Sequence, residues 1–176
     1  YKPSFDILVK NCVFDNNRRM NTSITDGHNI LIENNTFLNA GQPNEFSEGG
    51  NVGYAINIEA FRAREANGDL LLYERAYDIT IRNNIERGSR VGAVVITIGE
   101  NITIENNDFE SKVNTAFTSG SKILNNTFTA SVESIKAPAI NSGGVGDTVF
   151  NNEISGNNIS GYGVAISAYH RDLKIY

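Results

Sequence analysis

Apolar and polar residues alternate in short runs along this chain, and the runs recur. Asp6-Ile7-Leu8-Val9-Lys10-Asn11, Asn29-Ile30-Leu31-Ile32-Glu33-Asn34, Asp78-Ile79-Thr80-Ile81-Arg82-Asn83 and Asn101-Ile102-Thr103-Ile104-Glu105-Asn106 share one pattern. Lys122-Ile123-Leu124-Asn125 and Asp147-Thr148-Val149-Phe150-Asn151 repeat it more weakly. Two residues before each closing asparagine stand Val9, Ile32, Ile81, Ile104, Ile123 and Val149; three after it stand Phe14, Phe37, Glu86, Phe109, Phe128 and Ile154. A period of two marks a strand with one buried face. The asparagine then falls where the strand bends, because Asn tolerates the left-handed conformation and its amide both donates and accepts.

A second short strand follows in each unit, centred on Ile24, Ile56, Ile96, Phe117, Ile140 and Ile166. The residue after each is Thr25, Asn57, Thr97, Thr118, Asn141 or Ser167, the small hydrogen-bonding set that a stacked outward row would hold. The closing asparagines lie 23, 49, 23, 19 and 26 residues apart. Strands this short, at this period and without helices between them, predict an all-β chain in which each strand pairs with its copy one repeat away. The arrangement is a right-handed parallel β-helix of about six coils, with residues 1–176 as one segment. Asp172-Leu173-Lys174-Ile175-Tyr176 begins the repeat again, and Asp6 begins it with no cap before it, so the chain reads as an excerpt of a longer β-helix protein.

Composition narrows the function classes. The 25 asparagines need a repeated structural role, which the bends supply. The net charge of −5 argues against a nucleic-acid surface, which needs clustered Lys and Arg. The lone Cys12 excludes an intramolecular disulfide framework, and no apolar run reaches the length of a membrane-spanning helix.

The longest interval holds two insertions. Gly41–Gly50 reads as a loop. Residues 60–76 carry Asn67-Gly68, the strongest short hairpin signal, and read as a hairpin or irregular finger, with a short helix over 70–76 as the alternative. This charged excursion places Arg62, Arg64, Glu65 and Tyr73 beside Asn57 and Glu59, with Asp26 and His28 one coil back and Glu100 one coil forward. It is the densest ionisable neighbourhood in the chain. Glu59, Arg64 and Glu65 are the candidate catalytic groups; Asn57, Arg62, Tyr73, Asp26, His28 and Glu100 are the candidate substrate contacts. His28 and His170 stand at equivalent turns four coils apart, too far to share a metal, and no metal site is assigned.

The recurrent Ile-x-Ile-x-Asn-Asn-x-Phe resembles the repeats of the pectin-lyase-like superfamily, over nearly the whole chain. That group includes polysaccharide lyases, hydrolases, epimerases and phage tailspike depolymerases. The resemblance implies a polysaccharide-binding and polysaccharide-degrading protein, lyase or glycoside hydrolase, located outside the cell, at its surface or on a virion. Calcium is implied for the lyase branch, and a homotrimer by analogy with tailspikes. The catalytic signatures of the group (Arg-x-Pro-x-x-Arg, Tyr-Gly-x-Asp-Pro-His, Asp-Asp with Gly-His-Gly) do not occur here. The alternative reading is a non-catalytic structural or adhesive β-helix of a tail fibre or surface protein.

Overall fold

The computed structural model describes residues 2–132, 136–144, 149–169 and 172–176, and the backbone alone at Leu70 and Leu72. His170, Asp147 and Thr148, singled out above, lie outside the described residues. Every named element is a β-strand, and all strand pairs but one are parallel.

The strands of the first repeated pattern pair in chain order: Phe5–Lys10 with Gly27–Glu33, then Ala76–Arg82, Gly92–Glu105, Lys122–Leu124, Glu153–Ser155 and Lys174–Ile175. Their register stacks Val9, Ile32, Ile81, Ile104, Ile123, Ile154 and Ile175 in one column. The short strands after the bend form a six-stranded sheet of their own, stacking Phe14, Phe37, Glu86, Phe109, Phe128 and Ile159. These columns meet in a single core that contains Ile30, Ile32, Phe37, Ile79, Ile81, Ile102, Ile104, Phe109, Ile123 and Phe128, as the alternation predicts. Full burial of each such side chain contributes roughly 1.5–3 kcal/mol.

The last unit departs from its predicted register. Ile154 and Ile159, not Val149 and Ile154, continue the two apolar columns. Gly156, at φ 65°, takes the left-handed position that asparagine fills elsewhere, so the bend carries no asparagine to reveal it. Asn151 instead shares its place with Gly120, Asn101 and Asp78, which open the strands and are also left-handed.

The asparagine doublets divide two tasks that the sequence reading gave to one residue. The first members, Asn11, Asn34, Asn83, Asn106 and Asn125, all have φ between 53° and 56° and turn the chain. The second members are buried and carry the ladder. The Asn84 amide N–H and Nδ2 both donate to Asn107 Oδ1, at 2.9 and 3.0 Å. Asn107 does the same to Asn126 Oδ1, and Asn35 to Asn84 Oδ1. Each Nδ2 also donates to a strand carbonyl of the preceding unit: Asn84 to Ile32, Asn107 to Ile81 and Asn126 to Ile104. Cys12 stands where this column has asparagine, and its amide donates to Asn35 Oδ1.

The second-strand row is also re-registered. Asn57, Asn141 and Ser167 belong to it, but the remaining members are Ser23, Val95 and Asn114 rather than Thr25, Thr97 and Thr118. A shift by two or four residues keeps every side chain on its face, so a period of two cannot detect it.

Residues 60–76 form a β-hairpin, Arg62–Arg64 against Leu70–Tyr73, in the one antiparallel ladder among the described residues. No helix forms over 70–76. The Gly41–Gly50 insertion contains only an isolated Asn44–Ser47 bridge.

Candidate functional site

The hairpin rises from the end of the strand Tyr54–Glu59 and returns to the strand Ala76–Arg82. Its base lies over the outer side of the long strand Gly92–Glu105, where the register slips between Ile96 and Ile98. That slip follows Thr97, which interrupts the apolar run. It leaves Ile98 opposite Glu59; on its other side Ile98 pairs in register with Phe117, which is 41% exposed rather than inside the core as its position in the repeat predicts. Phe150 is exposed to a similar degree, 40%. These rings, with Arg62, Tyr73, Ile98 and Glu100, line an open cleft of about 500 Å³. A second cleft, of about 580 Å³, lies at the hairpin base and is lined by Glu59, Glu74, Thr25, Thr97, Arg62 and Ile98. Arg62 and Ile98 line both.

An ionic and aromatic chain borders the first cleft. Arg62 packs over the Tyr73 ring, its partner across the hairpin, at 4.8 Å, and its Nη2 is 3.6 Å from Glu100 Oε1. Arg75 Nη2 donates to Glu100 Oε2 at 2.6 Å and the guanidinium lies 4.5 Å over the Tyr77 ring. Glu100 holds the Arg75 guanidinium above its ordinary range through that hydrogen bond. The Arg75 amide donates to Asp26 Oδ1 at 2.9 Å. His28 stacks between Phe5 and Tyr77, at 5.6 and 4.7 Å.

The structure therefore brings Arg62, Tyr73, Glu100, Asp26 and His28 into one connected neighbourhood, linked through Arg75 and Tyr77. Glu59 stands in the adjoining cleft and accepts from Asn57 Nδ2 at 3.4 Å. Asn57, predicted as a substrate contact, is buried. Arg64 and Glu65 lie apart, at the hairpin turn: Arg64 Nη1 donates to the Gly68 carbonyl at 2.8 Å, and the Glu65 amide to Asp69 O. Among the described residues, no group of three or more His, Cys, Asp or Glu side chains is placed to share a metal ion.

Sequence reasoning missed Ile98, Phe117 and Phe150 as cleft residues, because each lies inside an apolar run that reads as core. It also missed Glu86. This carboxylate occupies a place in the phenylalanine column, is fully buried, and accepts from the amides of Ser89 and Ser111 at 3.0 and 2.9 Å. Burial pushes its carboxyl above the ordinary 4.5, against the pull of those hydrogen bonds. A lone acidic residue at an otherwise apolar position was the available signal.

The chain is similar to a protein of Bacillus subtilis (strain 168), Uncharacterized protein YclG: 26% identity over 183 residues, covering 99% of this chain. The chain spans 29% of that relative's length. No protein-family model matches it. No solved structure matches it.

Proposed function

We propose that this chain is a section of a right-handed parallel β-helix of the pectin-lyase-like kind, and that it binds polysaccharide in the cleft beside its hairpin. One observation carries the reading: three partly exposed rings, Tyr73, Phe117 and Phe150, stand around an Arg62–Glu100 pair in an open cleft on a parallel-sheet scaffold. Rings offer flat apolar surface to the C–H faces of sugars, and a guanidinium–carboxylate pair offers donors and acceptors to their hydroxyls. Parallel strands stacked in chain order, with left-handed asparagines at five bends and a left-handed Gly156 at another, support the winding.

Cleavage is the accompanying activity. Glu59 and Glu100 stand in adjoining clefts on either side of Arg62, and a pair of carboxylates flanking a glycosidic bond is what acid–base hydrolysis uses. This places the chemistry at Glu59, Arg62 and Glu100 rather than at Arg64 and Glu65. Calcium belongs to the lyase form of this reading, by resemblance. Further coils of the same protein, a homotrimer, and a place outside the cell or on a virion belong to the same reading by resemblance.

The test is retention of the natural protein on a panel of neutral and acidic polysaccharides, with release of reducing ends and of unsaturated uronate followed alongside. Arg62→Ala and Tyr73→Ala should each lower affinity about tenfold, equivalent to ~1.4 kcal/mol. Glu59→Gln and Glu100→Gln should stop cleavage. Binding without cleavage would instead favour the adhesive β-helix, a reading supported by the commitment of Glu100 to Arg75. Retention unchanged in both cleft variants would remove the site.

A further inference from the structure

Glu100 sits between two guanidinium groups, and the two are held differently. Arg75 is fixed at three points: its Nη2 to Glu100 Oε2 at 2.6 Å, its guanidinium on the Tyr77 ring at 4.5 Å, and its amide on Asp26 Oδ1 at 2.9 Å. Arg62 rests on the Tyr73 ring but faces Glu100 Oε1 at 3.6 Å, longer than an N–H···O hydrogen bond. The Nε atoms of both arginines are buried without a hydrogen-bond partner among the described residues, so the two differ at their Nη ends, where Arg75 bonds to Glu100 and Arg62 does not. Arg62 is also the charged side chain that lines both clefts.

Two cations around one carboxylate leave positive charge over, and the geometry decides which cation keeps it. The short contact spends Glu100 on Arg75. Were Arg75 absent, the nearest partner for Glu100 would be Arg62. A guanidinium and a carboxylate that close on each other form a bidentate pair, which withdraws the donors of both.

We propose that Arg75 is a positioning residue for the cleft: by holding Glu100 it keeps the Arg62 guanidinium available to donate to ligand oxygens where the two clefts meet. The ligand class is one that presents accepting oxygens side by side, as the hydroxyls or carboxylates of a sugar chain do. The inference rests on reading the cleft as a polysaccharide site, but its test uses no glycan, so the two fail separately.

The experiment follows the arginine Nε–Hε resonances of the natural protein by nuclear magnetic resonance, without ligand. In Arg75→Gln, the Arg62 resonance should shift and its exchange with water should slow, because Glu100 closes on it. In Arg75→Lys, which keeps the charge, it should stay near its original position. In the double variant Arg75→Gln/Glu100→Gln it should return toward that position, which a merely structural effect of losing Arg75 would not produce. Glu100→Gln alone should leave it in place, and this arm stands even if Arg75→Gln does not fold. An Arg62 resonance unmoved in Arg75→Gln, still displaced in the double variant, or displaced in Glu100→Gln would each overturn the proposal.

Discussion

Single residues set two features of this molecule that packing alone would not. Asn107 accepts from the Asn84 amide and Nδ2 and donates to Ile81 O and Asn126 Oδ1, all within the interior. Asn107→Ala leaves those groups unpaired in place and should cost about 1–3 kcal/mol in urea unfolding. Asn106→Gly, at the neighbouring left-handed position, should cost far less, since glycine adopts that conformation without strain. Glu86 makes a separate prediction with pH. Its folded carboxyl is raised above 4.5 by burial, so the folded chain binds the proton more tightly than the unfolded chain. The contribution is therefore complete below the ordinary value and lost as pH rises through the raised one. Stability measured across that window should fall with rising pH, and Glu86→Gln should remove that part of the slope. A slope unchanged by the substitution would mean that other groups set it.

Elements join these residues through close approach. Gly92 opens the long strand where the Tyr54 ring and the Lys112 carbonyl press on it, and an added Cβ would overlap both. Gly92→Ala should therefore destabilise the protein by about 1–3 kcal/mol, read as a lower urea midpoint with unchanged slope. The Tyr54 hydroxyl is pushed up to about 12 by burial, so an absorbance titration should show a late tyrosine ionisation that Tyr54→Phe removes. The hairpin is an element of the opposite kind. Leu71 is 64% exposed, and the turn of the hairpin is bonded within itself. Tyr73→Ala should weaken ligand binding while shifting stability by no more than about 0.5 kcal/mol. Large loss of stability in that variant would make the hairpin a cover for the core.

Across the whole molecule, each strand pairs with the copies before and after it, so contacts pass from neighbour to neighbour along the stack. Phe109 lies between the units that carry Glu86 and Phe128. Phe109→Ala should cost about 3–5 kcal/mol and lower hydrogen-exchange protection first at Ile104, Ile123 and Phe128, with Val9 and Ile32 affected least. Uniform loss of protection from one end to the other would show instead that the stack unfolds as a single unit.

The alternation of Ile30, Ile32, Ile79, Ile81, Ile102 and Ile104 by itself determined the strands, their inward faces and their parallel repetition, because one buried face leaves one spacing for the apolar residues. The left-handed asparagines were legible for the same local reason: a bend needs φ above zero, and few residues supply it. Asn67-Gly68 marked the hairpin. Tertiary structure alone decided what a period of two cannot specify. It set the register of the second-strand row, where slips of two are silent, and the last bend, where Gly156 stands in for asparagine. It separated the turning asparagines from the ladder asparagines, since adjacent identical residues differ only in which way the folded chain points them. It also decided the site. Arg62 and Glu100 are far apart in sequence, Phe117 and Phe150 read as core, and Arg64 and Glu65 read as partners of Arg62; only the pairing of distant strands and the hairpin beside them brought the first four to one cleft and left the last two at the turn.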